Sequence, residues 1–233
     1  MRFATQRIAG VDGCRHGWLI VEAQSDLSKA TLTLAPKWHD VNSTARIIAV
    51  DMPIGLSSNG VRQCEVEARK LLSRCASRVF KTPPRGALRF AQENWIAANQ
   101  WSKAQGFGGI SKQAWAIRPK IKEIDALITP RDQLRILEAH PELAFARLNG
   151  GRALESKHTP EGLKARQEIL LRAGFTNFDG WLRDLRGEGA KADDLFDACV
   201  LVLTARNHLR GEGKSVPAVE QRDSRGLKMA IAY

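Results

Sequence analysis

Two aspartates each close an apolar run. Asp12 follows Ile8-Ala9-Gly10-Val11, and Asp51 follows Ile47-Ile48-Ala49-Val50. A carboxylate at the end of a buried strand is costly unless a cation or a hydrogen-bond network satisfies it. Two that converge at one sheet edge point to a divalent-metal site with oxygen ligands. A third acid, Asp197, lies in Asp193-Asp194-Leu195-Phe196-Asp197-Ala198-Cys199-Val200-Leu201-Val202-Leu203. That run is apolar on nearly all sides after Asp197, the pattern of a helix packed between layers. Asp193 as the N-cap and Asp194 as a first-turn acid have an ordinary role at a helix start. Asp197, three residues on, shares a face with Asp194 and lacks that explanation. A fourth acid, Glu138, ends Arg135-Ile136-Leu137 and precedes His140-Pro141-Glu142. It reads either as a site acid or as a loop acid beside a proline turn. Glu142 stands at a helix start, where acids are common, and ranks below it.

Asp12, Asp51, Glu138 and Asp197 form the kind of acid set that two-metal phosphodiester chemistry uses. Two Mg²⁺ or Mn²⁺ ions about 4 Å apart would activate a water and stabilise the leaving oxygen. The five histidines show no HxxxH or HExxH spacing, so they do not compete as ligands. His140 stays open between a proton shuttle and a structural residue.

The elements that must position these acids follow from periodicity. Residues 5–11, Gly17–Ala23 and Lys29–Ala35 read as three strands with connections too short for helices, hence an antiparallel meander. A polar stretch with a short helix follows Pro36, then Ala45–Asp51 as a fourth strand. A helical crossover returns the chain parallel to its neighbour, which predicts the fourth strand beside the first and Asp51 near Asp12. Helices are expected over Val61–Ala76, Gly86–Gln105 and Lys112–Ile128, the last two divided by Gly106-Phe107-Gly108-Gly109. The last two, with the loops around them, make a helical insertion over about 86–130 in a single domain of 233 residues. Arg135–Pro141 reads as a fifth strand. Helices follow at Glu142–Leu148, Pro160–Ala173 and Asp193–Leu209, with a polar helix or turn at 177–187. The tail 226–233 reads as a short strand or an ordered extension.

The chain carries 36 Lys and Arg against 25 Asp and Glu, a net charge of +11. That balance favours a polyanionic partner such as nucleic acid. The basic stretch Arg74, Arg78, Lys81 and Arg85, stiffened by Pro83-Pro84, reads either as a phosphate grip or as a solvated loop. Lys112 and Lys120 extend the basic surface. Trp95, Trp101 and Trp115 serve either as base-stacking platforms or as core. The four cysteines form no CxxC pair and read as reduced. No apolar run reaches the ~20 residues of a membrane span. The first residues lack a signal peptide's apolar core, which predicts a cytoplasmic protein without membrane association.

Gly10-Val11-Asp12-Gly13, Asp51-Met52-Pro53 and Asp194-Leu195-Phe196-Asp197-Ala198 resemble motifs of the ribonuclease H-like superfamily. More closely, the chain resembles domain-of-unknown-function family 429, whose members are predicted ribonuclease H-like nucleases. The similar stretches are Gly10–Trp18, Val50–Leu56, Cys64–Leu72, Val79–Leu88, Ser111–Asp125, Glu138–Phe145, Thr159–Leu171, Asp194–Ala205 and Asp223–Ala230. The resemblance implies an α/β fold: a five-stranded mixed sheet with helices on both faces and a helical insertion. It implies Asp12, Asp51 and either Asp197 or Asp194 as the metal-binding acids, with a less secure place for Glu138. A nucleic-acid-binding or scaffold protein of the same fold without catalysis is the alternative. A sugar or acetate kinase of the actin-like superfamily is disfavoured: the chain has room for one lobe, and Gly10-Val11-Asp12-Gly13-Cys14 fits neither GxGxxG nor the Walker pattern.

Overall fold

A computed structural model describes residues 6–233. The chain divides into two compact units. The first comprises residues up to Asp51, Arg135–Lys214 and Ala232–Tyr233; the second comprises Met52–Leu134 and Ser215–Ile231. The helices expected over 86–130 fall within the second unit.

In the first unit a five-stranded sheet has the order β3-β2-β1-β4-β5. Its strands are β1 (Arg7–Cys14), β2 (Gly17–Gln24), β3 (Thr31–Ala35), β4 (Ile47–Val50) and β5 (Ile136–Glu138). The first three form an antiparallel meander, and β4 and β5 run parallel to β1. The strand expected from residue 5 begins at Arg7, and residue 5 itself lies outside the described residues. Among the described residues the α-helices are α1 (Gln63–Leu72), α2 (Trp95–Ala104), α3 (Lys112–Ala116), α4 (Arg118–Leu127), α5 (Pro141–Leu148), α6 (Pro160–Ala173), α7 (Phe178–Asp184) and α8 (Ala192–Leu209). None is long and apolar enough to cross a membrane.

The core of the first unit lies between the sheet and α8. Every residue from Leu195 to Ala205 is buried, as expected for a helix with apolar side chains all round. Ile8, Leu19, Val21 and Ala49 of the strands join Phe145, Leu170, Phe178 and Trp181 of α5, α6 and α7 in the same cluster. Gly10 sets how closely α8 approaches. A Cβ there would stand 2.0 Å from the Ala198 carbonyl oxygen and 2.6 Å from the Val202 nitrogen. Its register partner on β4 is Ala49, again small. The two small residues form a trough into which the helix backbone settles. Across the sheet from α8, Ala9, Val11 and Trp18 are buried, with Trp38 edge-on to Trp18 at 5.1 Å between ring centroids.

The second unit breaks its expected helices into shorter pieces. The helix expected over 86–105 is a 3₁₀ turn at Arg85–Arg89 followed by α2. The Arg118 guanidinium takes the carbonyls of Leu88 and Phe90, so these oxygens do not serve a continuing helical ladder. The helix expected over 112–128 breaks at Ile117 into α3 and α4. Pro119, at the start of α4, has no N–H for the Trp115 carbonyl, and that oxygen accepts from Gln92 Nε2 at 3.1 Å instead. Past α1 the chain tightens into a 3₁₀ segment, Ser73–Arg78.

A candidate carboxylate centre

Strand register brings the first two acids together. Val11 pairs with Val50 in the parallel β1–β4 ladder, and the Asp51 amide donates to the Val11 carbonyl at 2.9 Å. Asp12 and Asp51 are therefore adjacent near the carboxyl ends of neighbouring strands. Asp51 follows β4 directly, while β1 runs past its expected end at residue 11 to Cys14 and leaves Asp12 two residues inside it, because its hairpin pairing with β2 continues to Gly17. Side chains alternate along a strand, so Asp12 shares the face of Gly10, and Asp51 that of Ala49. That is the face α8 packs against. Because Gly10 admits the α8 backbone beside Ala198, the residue just before it, Asp197, stands near Asp12. All three acids are mostly withdrawn from water: Asp12 is 6% exposed, Asp197 2%, and Asp51 half-buried.

Their electrostatics report the convergence. Burial pushes the Asp12 carboxyl well above the ordinary range, and the charges of Asp51, Asp197 and Asp194 push it further. Asp51 rises to about 6, chiefly by burial, against a lowering influence from Lys157 and with a contribution from Glu142. Burial likewise lifts Asp197 to about 7, with Lys157 opposing and Asp51 and Glu142 adding. Like charges held together out of water disfavour simultaneous ionisation.

Asp194 has a second employment. Its Oδ2 accepts the Lys191 amide at 2.8 Å, closing the first turn of α8. Helix α8 starts at Ala192 with Lys191 as the N-cap, two residues earlier than the Asp193 cap that the sequence suggests. Asp194 still raises Asp12 and is itself raised by burial, so it stands at the rim of the cluster.

Glu138 stands elsewhere. Its register partner is Val50 rather than Asp51, and alternation turns it to the opposite face of the sheet. Glu142, at the first turn of α5, takes the place near the cluster. It acts on both Asp51 and Asp197 and is ion-paired with the fully buried Arg166 of α6. His140 caps α5, its carbonyl accepting the amides of Leu143 and Ala144 at 3.1 Å.

Sequence reasoning missed Lys157. Its Nζ donates to Asp197 Oδ2 at 2.5 Å and lies 3.7 Å from Asp193 Oδ2. Burial lowers its pKa, but Asp197, Asp12 and Asp51 outweigh that and leave it above the ordinary lysine value. The loop bearing it is fixed at several points. Thr159 caps α6 by accepting the Gly162 amide at 3.1 Å. A Cβ on Gly162 would fall 1.9 Å from the Ser156 carbonyl oxygen, so glycine lets the loop lie on the helix. Arg166 reaches back to the Glu155 carbonyl at 2.8 Å. The sequence carries one weak signal: a capped Thr-Pro-Glu-Gly helix start two residues after the lysine.

As the side chains stand, no three His, Cys, Asp or Glu among the described residues are gathered closely enough to hold a metal ion. The donor chemistry nevertheless fits a hard divalent cation. The ligands are all carboxylate oxygens, and the buried Asp197 Oδ1 accepts no hydrogen bond among the described residues. The cation at the centre is the Lys157 ammonium. Asp12, Asp51 and Asp197 would hold the ion, with Asp194 at the edge.

The basic residues are dispersed over the second unit. Arg74 is exposed, and Arg78 and Lys120 are half-buried. Lys81 donates to the Phe107 carbonyl and, with Arg69, Ser77, Ser111 and Gln113, lines a cleft of about 420 Å³. Lys112 lies 5.4 Å from the Trp95 ring centroid. Arg85 is bound within the fold, at 2.7 Å to Asp125 and 2.5 Å to Asp223. Trp95 and Trp101 pack around Ala87, Ala98, Ile110 and the buried Trp115. The indoles of Trp95 and Trp115 donate to the Ile110 and Gln92 carbonyls, so these side chains build the core of this unit.

The strand order, the parallel β1–β4 pair and the long buried helix beneath it define a ribonuclease H-like α/β protein. The chain belongs to the family described as protein of unknown function (DUF429), whose model matches residues 10–222. No curated protein and no solved structure matches it.

Proposed function

We propose that this protein is a metal-dependent nuclease or phosphodiesterase acting on nucleic acid in the cytoplasm. The observation that carries the reading is the convergence of Asp12, Asp51 and Asp197, three acids from two neighbouring strands and a buried helix, each of them pushed up chiefly by burial. Burying three like charges together is costly, and the Lys157 ammonium offsets only part of it, since all three acids stay raised beside it. Mg²⁺ or Mn²⁺ bound there would activate a water and stabilise the leaving oxygen of a phosphodiester. Asp12, Asp51 and Asp197 would hold the ion, with Asp194 at the rim. Glu142, anchored by Arg166, would add negative potential at Asp51 and Asp197. The net charge of +11 supports a polyanionic substrate, with Arg74, Arg78, Lys81, Lys112 and Lys120 as candidate phosphate contacts. Arg85 supports the fold instead, through its two ion pairs.

One observation favours a second reading, a nucleic-acid-binding or scaffold protein without catalysis. Lys157 already supplies a cation to Asp197. A cleavage screen in Mg²⁺ and Mn²⁺ over single-stranded, duplex, hybrid and branched substrates separates the two. The nuclease reading expects metal-dependent cleavage that Asp12→Asn abolishes. Binding without cleavage on every substrate would favour the scaffold.

A further inference from the structure

We infer that Lys157 is a built-in counter-ion which a divalent metal must displace from Asp197, so that this lysine sets the metal concentration at which the centre loads. The inference deepens the metal reading above and rests on it.

The geometry makes Lys157 a competitor rather than a bystander. Its Nζ holds Asp197 Oδ2 at 2.5 Å, and Asp197 is the most deeply buried of the three acids. Asp197 Oδ1 is open to a metal, but an ion there meets the ammonium on Oδ2 across a single carboxylate, and the two cations compete for the same negative potential. Lys157 also interacts favourably with Asp12 and Asp51, so one ammonium partly neutralises the set that would hold the ion.

The surroundings allow exchange without unfolding. Main-chain contacts hold the loop on both sides of Lys157: the Arg166 guanidinium on the Glu155 carbonyl, and the Thr159 cap on Gly162. The lysine side chain itself is 29% exposed, and Asp193 Oδ2, 3.7 Å from Nζ, offers a second acceptor at the rim. Rotation of the lysine stem moves the ammonium from Asp197 towards Asp193 while the backbone stays in place. The positive charge then remains beside the centre, where a phosphate oxygen would approach.

The test measures Mn²⁺ binding to the full chain by calorimetry and by the paramagnetic resonance of free Mn²⁺, for wild type, Lys157→Gln and Lys157→Arg. Lys157→Gln should bind at least about tenfold tighter, since a factor of ten needs only about 1.4 kcal/mol of lost competition. Lys157→Arg, which keeps the charge, should stay close to wild type. A Gln variant that binds no tighter than a metal-binding wild type overturns the lysine inference and leaves the metal reading standing. Mn²⁺ bound by none of the three proteins overturns both. Should Lys157→Gln not fold, wild type alone decides. Saturating Mg²⁺ should raise the labelling of Lys157 by an amine-reactive reagent, read by peptide mass spectrometry. Unchanged or reduced labelling contradicts displacement.

Discussion

Both units bury aspartates, and they treat them in opposite ways. In the second unit the Asp223 carboxylate is fully enclosed, yet it accepts the amides of Leu56, Arg225 and Leu227 at 2.8–2.9 Å and the Arg85 guanidinium at 2.5 Å. Burial pushes its carboxyl up, and these donors more than reverse that, leaving it below the ordinary range. In the first unit Asp12, Asp51 and Asp197 face one another, and each is raised. One aspartate ties a loop to its unit. The other three are held in a state the fold alone does not favour. Perturbed groups of the second kind cluster at functional sites, and the contrast separates acids that build the fold from acids available for chemistry.

The largest expected effect breaks the fold-building side. Asp223→Ala removes the acceptor of three amides and one guanidinium, and should cost about 3 kcal/mol or more, the scale for disrupting a buried ion pair. Chemical denaturation reads the loss, and the response to Mn²⁺ should be untouched. A near-neutral outcome would mean that the two units do not differ in this way.

Gly10→Ala strikes the first unit at its packing. The new methyl meets the α8 backbone, and overfilling such a seam should cost about 1–3 kcal/mol. Because α8 carries Asp197, this variant should also weaken Mn²⁺ binding, read by calorimetry. Loss of stability with an unchanged metal affinity would show that the Gly10 trough does not position the centre.

A smaller effect sharpens the electrostatic side. Asp51 and Asp197 have folded-state values of about 6 and about 7, above the ordinary 3.8. The native state therefore holds protons that the unfolded chain has released. Their contribution to stability is full below pH ~4 and is lost as pH rises through the folded values. Metal-free Asp197→Asn should show a shallower decline between pH ~4 and ~7, by on the order of 1 kcal/mol per pH unit for the one proton removed. Near pH ~4 the variant and wild type should be close in stability. Above pH 7 the variant should be the more stable, as read by urea titrations across the range. Parallel pH profiles would place Asp197 outside the coupled set.

The same division governs what the sequence revealed. Asp12 and Asp51 were legible because each ends an apolar run, and the crossover rule put their strands side by side. Asp197 was legible as an acid where neither capping nor the helix dipole calls for one. Glu138 was misleading because its face depends on register: pairing with Val50 instead of Asp51 turns it away, and an isolated strand does not reveal its register. Lys157 was hidden because it reaches Asp197 from a polar loop 40 residues away, held there by a glycine contact and by Arg166. Arg85 looked like part of a phosphate-binding loop because its partners, Asp125 and Asp223, lie 40 and 138 residues off. The helix breaks at 90–94 and at Ile117 follow from Arg118 capturing carbonyls and from Pro119. Only the proline is visible locally.

Thermal melts of wild type and Asp197→Asn, each with and without Mn²⁺, test most directly whether the raised acids form a metal centre. A ligand that binds only the folded state stabilises it, by about 2.7 kcal/mol at a hundredfold excess over its Kd. Wild type should gain melting temperature with Mn²⁺. Metal-free Asp197→Asn should melt at or above the metal-free wild type near pH 8 and should lose the gain from Mn²⁺. A variant that is destabilised without metal, and that responds to Mn²⁺ as wild type does, would make Asp197 a structural acceptor like Asp223 and contradict the metal centre.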